Sequence, residues 1–173
     1  MVRYTHATGS VTVDLVAGTS SGAEGIDSLI GIEQAQGSDF ADVIVVGASQ
    51  IALGMGGNDT IIGVGVGAWY QGPENLTVDL VAGFAFISAT DNDSLVNIQN
   101  VQNAQWALGN DNPNWIVGSI GLDDTLIGAG GNDTLLGVTG NDSLVGGDGD
   151  DWASYGRRLG VVDVAVTVDL GAG

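Results

Sequence analysis

"GAGGNDTLLGVTGNDSLVGGDGDDW", residues 128–152, repeats one phrase three times: Asp133, Asp142 and Asp151 stand nine residues apart, each ending a glycine-rich stretch and opening a strand-like one. Aligned on the acid, four nonapeptides follow without a gap: SIGLDDTLI (119–127), GAGGNDTLL (128–136), GVTGNDSLV (137–145) and GGDGDDWAS (146–154). A fifth, GMGGNDTII, occupies 54–62, and an eroded sixth, GAEGIDSLI, occupies 22–30. In the well-kept units a six-residue loop precedes three residues whose middle member, Ile61, Leu126, Leu135 or Leu144, is aliphatic, as an inward-facing strand position requires.

A longer repeat overlies the short one. SVTVDLVAGTSSGAEGIDSLIGIE (10–33) returns as NLTVDLVAGFAFISATDNDSLVNIQ (75–99), and VTVDLGAG opens a third copy at 166–173. Tyr4, Tyr70 and Tyr155 each precede a TVDL strand. The chain therefore divides into a first long repeat (1–66), the spacer strands of a second (67–118), the nonapeptide block (119–154) and the start of a third, incomplete repeat (155–173). It reads as one stretch of a longer repetitive protein, or as a module designed to continue into a neighbour.

Composition bounds what such a chain can do. Of 173 residues, 44% are hydrophobic, enough for a continuous core. The net charge is −18, from 21 acids against three arginines, which makes nucleic acid and anionic membrane surfaces poor partners. Nearly all the acids are aspartates, which suit turns and compact oxygen-rich cation sites. Thirty glycines and two prolines favour short strands between tight turns over helices. Cysteine is absent, which excludes disulfides and thiolate metal sites. No apolar run is long enough to span a bilayer, and the N-terminus lacks the apolar region of a cleaved signal.

The spacing has a physical reading. Each nonapeptide makes a turn and a strand, so two units make one full coil, whose strands stack in parallel on the coils above and below. Each glycine-rich turn then lies over the turn two units further along the chain. Glycines let carbonyls converge, and the closing aspartates add a carboxylate from each turn. A cage of hard oxygens with net negative charge calls for Ca²⁺ rather than Zn²⁺, which favours His and Cys.

These nonapeptides resemble G-G-x-G-x-D-x-U-x, the repeat of the RTX (haemolysin-type calcium-binding) family, and the TVDLVAG spacers resemble those between RTX blocks of large secreted bacterial proteins. The resemblance implies an all-β fold, a right-handed parallel β-roll or β-solenoid with glycine-rich calcium-binding turns, and type I secretion from a Gram-negative bacterium. Carried over residue by residue, the loop-closing acid falls on Asp124, Asp133, Asp142 and Asp151. Turns two units apart would pair Asp124 with Asp142 and Asp133 with Asp151. Asp59 closes a further loop; two unit lengths before it stands Ala41, with Asp42 next to it, and a one-residue deletion in GASQIALG would pair Asp59 with Asp42. The pattern departs from the family where Met55, Ile120, Ala129 and Val138 replace the second glycine, where Asn114 replaces the acid, and in the eroded loops of Asp27 and Asp93.

Other readings are bland. Asp14, Asp79 and Asp169 alternate with Val and Leu, as exposed strand residues do; Asp148 and Asp150 read as surface acids. DNDS and DGDD lack the glycine and final glutamate of an EF-hand loop. The N-x-[ST] triplets at Asn58, Asn75, Asn92, Asn132 and Asn141 are mostly by-products of the GNDT turn. Trp69 and Trp152 read as packing over loops rather than as sugar platforms. With no Cys, no Lys and a lone His6, familiar nucleophilic triads and zinc-hydrolase sites cannot be assembled. The expectation is a non-catalytic, calcium-stabilised, secreted or cell-surface module of structural or adhesive kind, with calcium ions as ligands and end-to-end self-association or a cell-surface glycan as partner. The alternatives are the export and folding segment of an RTX enzyme or toxin, and the subunit of an extracellular filament or surface layer.

Overall fold

The aliphatic segment after each closing aspartate forms a strand, because alternate side chains face opposite ways and the middle one is taken inside. In the computed structural model, which describes residues 1–65, 67 and 69–154, with backbone alone at 74–75 and 165–169, these segments are the strands Thr60–Gly63, Thr125–Gly130, Thr134–Leu136, Asn141–Asp148 and Trp152–Ser154. Ile61, Leu126, Leu135 and Leu144 are at most 1% exposed. The chain is all-β: among the described residues it carries eighteen strands and no helix. Apart from the backbone of Ala165–Asp169, the expected third repeat lies outside the described residues.

By compactness the chain forms two units, Met1–Gly72 with Gly83–Ile98, and Pro73–Ala82 with Gln99–Gly173. In the second unit, Thr125–Ile127 pairs in parallel with Ser143–Val145, and Thr134–Leu136 with Trp152–Ser154, each strand meeting the one two nonapeptides further on. Trp106↔Thr125 and Trp115↔Thr134 span one residue more than two nonapeptides. Parallel pairing at one level stacks like residues on like: Ala107 on Leu126 on Leu144, and Ile116 on Leu135. In the first unit Ile44 lies between Val13 and Ile61, with Leu95 beyond, and Ala35 is followed by Ala52 and Tyr70. Apart from Leu95, at 5%, all of these are at most 1% exposed. Burying a Leu or Ile in this way contributes about 1.5–3 kcal/mol.

The strands do not all run in parallel, as the spacing alone predicts. Val11–Asp14 pairs antiparallel with Thr19–Gly22, which pairs antiparallel with Gly25–Ser28; Phe84–Ser88 pairs antiparallel with Asp91–Val96. The turns are responsible. Asp14, expected as an exposed strand residue, turns its carboxylate back to accept the Val16 and Ala17 N–H groups at 2.9 and 2.7 Å. Gly18 follows with φ +74°, open to a residue without Cβ. In the second copy Asp79 accepts the Ala82 N–H at 2.7 Å and Gly83 has φ +75°. TVDLVAG is thus a strand with its own reversal, which the nonapeptide period does not encode. The side chain of Asp169 lies outside the described residues.

Candidate cation-binding columns

Each closing aspartate sits where its loop turns into its strand, and the coil stacks the next one upon it. In the second unit the Asp124 N–H donates to Asp142 Oδ1 at 3.1 Å, and the Asp133 N–H to Asp151 Oδ1 at 2.9 Å. In the first unit the Asp42 N–H donates to Asp59 Oδ1 at 2.8 Å, and the Asp59 N–H to Asp93 Oδ1 at 3.0 Å. The structure therefore brings together Asp124 with Asp142, Asp133 with Asp151, and Asp42 with Asp59. The last pair is one residue closer in sequence than the other two, with Val43 in register with Thr60.

Five of the six are nearly sealed from solvent: Asp42, Asp59, Asp124, Asp133 and Asp142 are 1–4% exposed, whereas Asp151 is half-buried. Loop N–H groups reach some of them from their own turn, as Ser119 N reaches Asp124 Oδ2 at 2.7 Å and Ser38 N reaches Asp42 Oδ2. Yet Asp59 Oδ2, Asp124 Oδ1, Asp133 Oδ2 and Asp151 Oδ2 are buried oxygens that no donor meets. An acceptor-only group left so in a poorly solvated place calls for a proton or a cation. The carboxyl groups respond accordingly. Asp59 and Asp124 are pushed up to about 7 and Asp133 to about 6. Burial is the main cause in all three. N–H groups of Asp42, Ser119 and Asn114 respectively oppose it, and the stacked carboxylates, Asp93 and Asp42, Asp142, and Asp151, add to it.

Two members escape the nonapeptide pattern. Asp93, in a loop too eroded to read as a site, is 2% exposed and continues the first column; Tyr70 donates its hydroxyl to Asp93 Oδ2 at 2.5 Å. Burial raises Asp93, and burial together with Asp93 raises Tyr70. Asp91, which also carries an orphan oxygen, stands two residues away in sequence. Asn114 is also in a column: its N–H donates to Asp133 Oδ1, its Oδ1 accepts the Asn110 N–H, both at 2.8 Å, and its Nδ2 reaches Gln99 O. An amide keeps the acceptor and drops the charge. The motif DSL in both long repeats could have revealed Asp93, since DSL also closes GVTGNDSLV. Asp27, its counterpart in the first copy, is exposed.

The glycines of the loop serve different needs. A Cβ on Gly54, Gly128, Gly137 or Gly146 would overlap the carboxylate of Asp59, Asp133, Asp142 or Asp151. For Asp124 the glycine so placed is Gly118, one residue before the expected start of that nonapeptide, so this loop holds an extra residue, the buried Ser119. The second and fourth loop positions turn left-handed. Gly57, Gly131, Gly140 and Gly149 do so at the fourth, and Met55, Ala129 and Val138 are forced to φ +83°, +81° and +71° at the second. A left-handed residue with a side chain costs about 1–2 kcal/mol, most for a β-branched one. Val138→Gly is expected to raise stability by about 1 kcal/mol, read as a higher midpoint in urea denaturation. An unchanged or lower midpoint would mean that the turn carries no such cost.

The chemistry on offer is that of oxygens. The orphan Asp133 Oδ2 and the carbonyl of Gly146 both border the space that a Cβ on Gly128 would fill, as the carboxylates of Asp59 and Asp93 both border that of Gly54. Among the described residues no three or more His, Cys, Asp or Glu side chains form a metal cage, so any ion here would draw on main-chain carbonyls as well as on paired aspartates. Comparison with models of known protein families and with curated proteins finds no match to the chain.

Proposed function

We propose that the chain is a calcium-binding, calcium-stabilised structural module of RTX type, built as a right-handed parallel β-roll, without catalytic activity and working outside the cell or at its surface. One observation carries the reading: closing aspartates stack in pairs one coil apart, and Asp59, Asp124, Asp133 and Asp151 each keep one buried oxygen without a donor. Asp124 with Asp142, Asp133 with Asp151, and Asp42 with Asp59 would each hold an ion together with loop carbonyls such as that of Gly146. The ion supplies positive charge where the coil has concentrated negative charge.

The chain's own residues account for the coupling to folding. Thirty glycines make the unfolded state rich in conformations, and a net charge of −18 opposes compaction. Ions that bind the folded columns and not the open chain shift the balance toward the fold. A module of this kind stays open where calcium is scarce, as in a cytosol, and closes at the millimolar calcium found outside, which suits passage through a narrow export channel in a Gram-negative bacterium.

The test is far-ultraviolet circular dichroism of the metal-stripped chain, titrated with Ca²⁺ and separately with Mg²⁺. A cooperative gain of strand signal with calcium alone is expected. A strand spectrum already complete in EGTA, with no heat of calcium binding by calorimetry, would overturn the proposal.

A further inference from the structure

In the first unit Asp42, Asp59 and Asp93 follow one another up a column, and the interval between the last two is unlike the others. At Gly37, Gly118 and Gly128 the space that a Cβ would fill is bordered by the loop's own closing carboxylate and by a main-chain carbonyl: Asp42 with Gly54 O, Asp124 with Gly137 O, and Asp133 with Gly146 O. At Gly54 a second carboxylate stands where the carbonyl would be. Asp93 Oδ2 lies 2.9 Å from the point that a Cβ on Gly54 would occupy, and Asp59 Oδ2 lies nearer still.

The hairpin makes this exchange. Asp91–Val96 pairs antiparallel with Phe84–Ser88 and in parallel with Thr60–Gly63, which sets Ser94 against Thr60 and so brings Asp93 to Asp59. The Asp59 N–H donates to Asp93 Oδ1 at 3.0 Å, and Tyr70, wholly buried, donates its hydroxyl to Asp93 Oδ2 at 2.5 Å. Both oxygens of Asp93 are thus engaged. Asp59, only 2% exposed, instead keeps its Oδ2 without a donor, and that oxygen borders the same space as Asp93 Oδ2. Asp91 adds its negative charge to both carboxylates. Like charges held together away from water call for something positive between them.

We infer that this interval is a further cation site, in which Asp59 Oδ2, Asp93 Oδ2 and the Tyr70 hydroxyl oxygen are ligands to one calcium ion. A phenol oxygen carries lone pairs as well as a proton, so Tyr70 can turn from donor to ligand while its ring stays in place. Two carboxylates and a neutral oxygen are hard donors of the kind calcium takes, with carbonyls or water completing its shell. The inference rests on the calcium reading proposed above, but not on the nonapeptide: Tyr70 and Asp93 both stand outside the well-kept units. What supplies the site is the hairpin, which carries a lone aspartate back onto the column.

Counting bound ions tests it. The full chain is titrated with Ca²⁺ by calorimetry and its bound ions are counted by native mass spectrometry, beside Asp93→Asn and Tyr70→Phe. The asparagine keeps an oxygen for the Asp59 N–H and removes the charge. It is expected to bind one ion fewer than the parent, with the strand spectrum in calcium unchanged. Tyr70→Phe keeps the ring and loses one oxygen, and is expected to weaken one site about tenfold while the others stay as they were. A parent that binds ions beside an Asp93→Asn chain that binds as many would overturn the inference and leave the calcium reading standing, because Asp59 Oδ2 would then carry a proton instead. A parent that binds no ion overturns both. If Asp93→Asn does not fold in calcium, Tyr70→Phe decides alone, and an unchanged set of affinities overturns the site.

Discussion

In the absence of divalent cations the chain is expected to become less stable as the pH rises from 5 to 8, with the thermal midpoint falling on the order of 10 °C and levelling off above about pH 7. The sign follows from the columns. Asp59 and Asp124 in the fold hold their protons to about pH 7, and Asp133 to about 6, whereas a carboxyl in the open chain lets go near 4. Between those limits the folded chain binds more protons than the unfolded one, so each step up in pH favours unfolding. The stability is fully present below the unfolded value and lost by the time the folded groups have ionised. Calcium should reverse the slope. It takes the place of the proton at the orphan oxygens, and protons then compete with it, so the calcium-bound midpoint should rise over the same range. Asp133→Asn is the control, because the Asn114 amide already serves one column. It should make the metal-free profile shallower, leaving the larger part that Asp59 and Asp124 cause, and weaken calcium binding together. A metal-free midpoint that rises with pH would mean that the buried carboxylates are satisfied as anions.

The second large effect concerns a glycine whose backbone gives no hint of strain. Gly128→Ala is expected to cost more than about 4 kcal/mol, at the extreme of single substitutions, while Gly121→Ala costs about 1 kcal/mol. Gly121 has φ +76° but open space around its Cα, so only conformation is at stake. Gly128 is not left-handed, yet a Cβ there would overlap both the Asp133 carboxylate and the Gly146 carbonyl. If glycine were needed only for positive φ, the order of the two would be reversed. Urea midpoints of both variants in calcium decide between these causes.

The aliphatic member of each nonapeptide was legible because a strand needs no more than alternation to choose its inner side, and Ile61, Leu126, Leu135 and Leu144 are buried as that alternation requires. The pairs of stacked aspartates were legible for a related reason, since two nonapeptides make one coil and a fixed period puts like over like. Where the period slips, local reading still served once: Asp42 and Asp59 stand together across a coil one residue short. Asp93 escaped because a hairpin lies between it and Asp59, stretching their separation to nearly twice that of the other pairs. A nine-residue template passes over such an insertion, and only pairing of Asp91–Val96 with Thr60–Gly63 closes the gap.

By itself, then, the sequence determined an all-strand chain, the inner positions of its strands and the stacking of its acids, all consequences of periodicity, which acts between neighbours and needs no knowledge of distant contacts. Tertiary structure alone decided which way the TVDLVAG segments turn and which aspartates keep an oxygen without a donor. Those depend on what one coil offers the next: whether an N–H arrives, and whether a Cβ would fit.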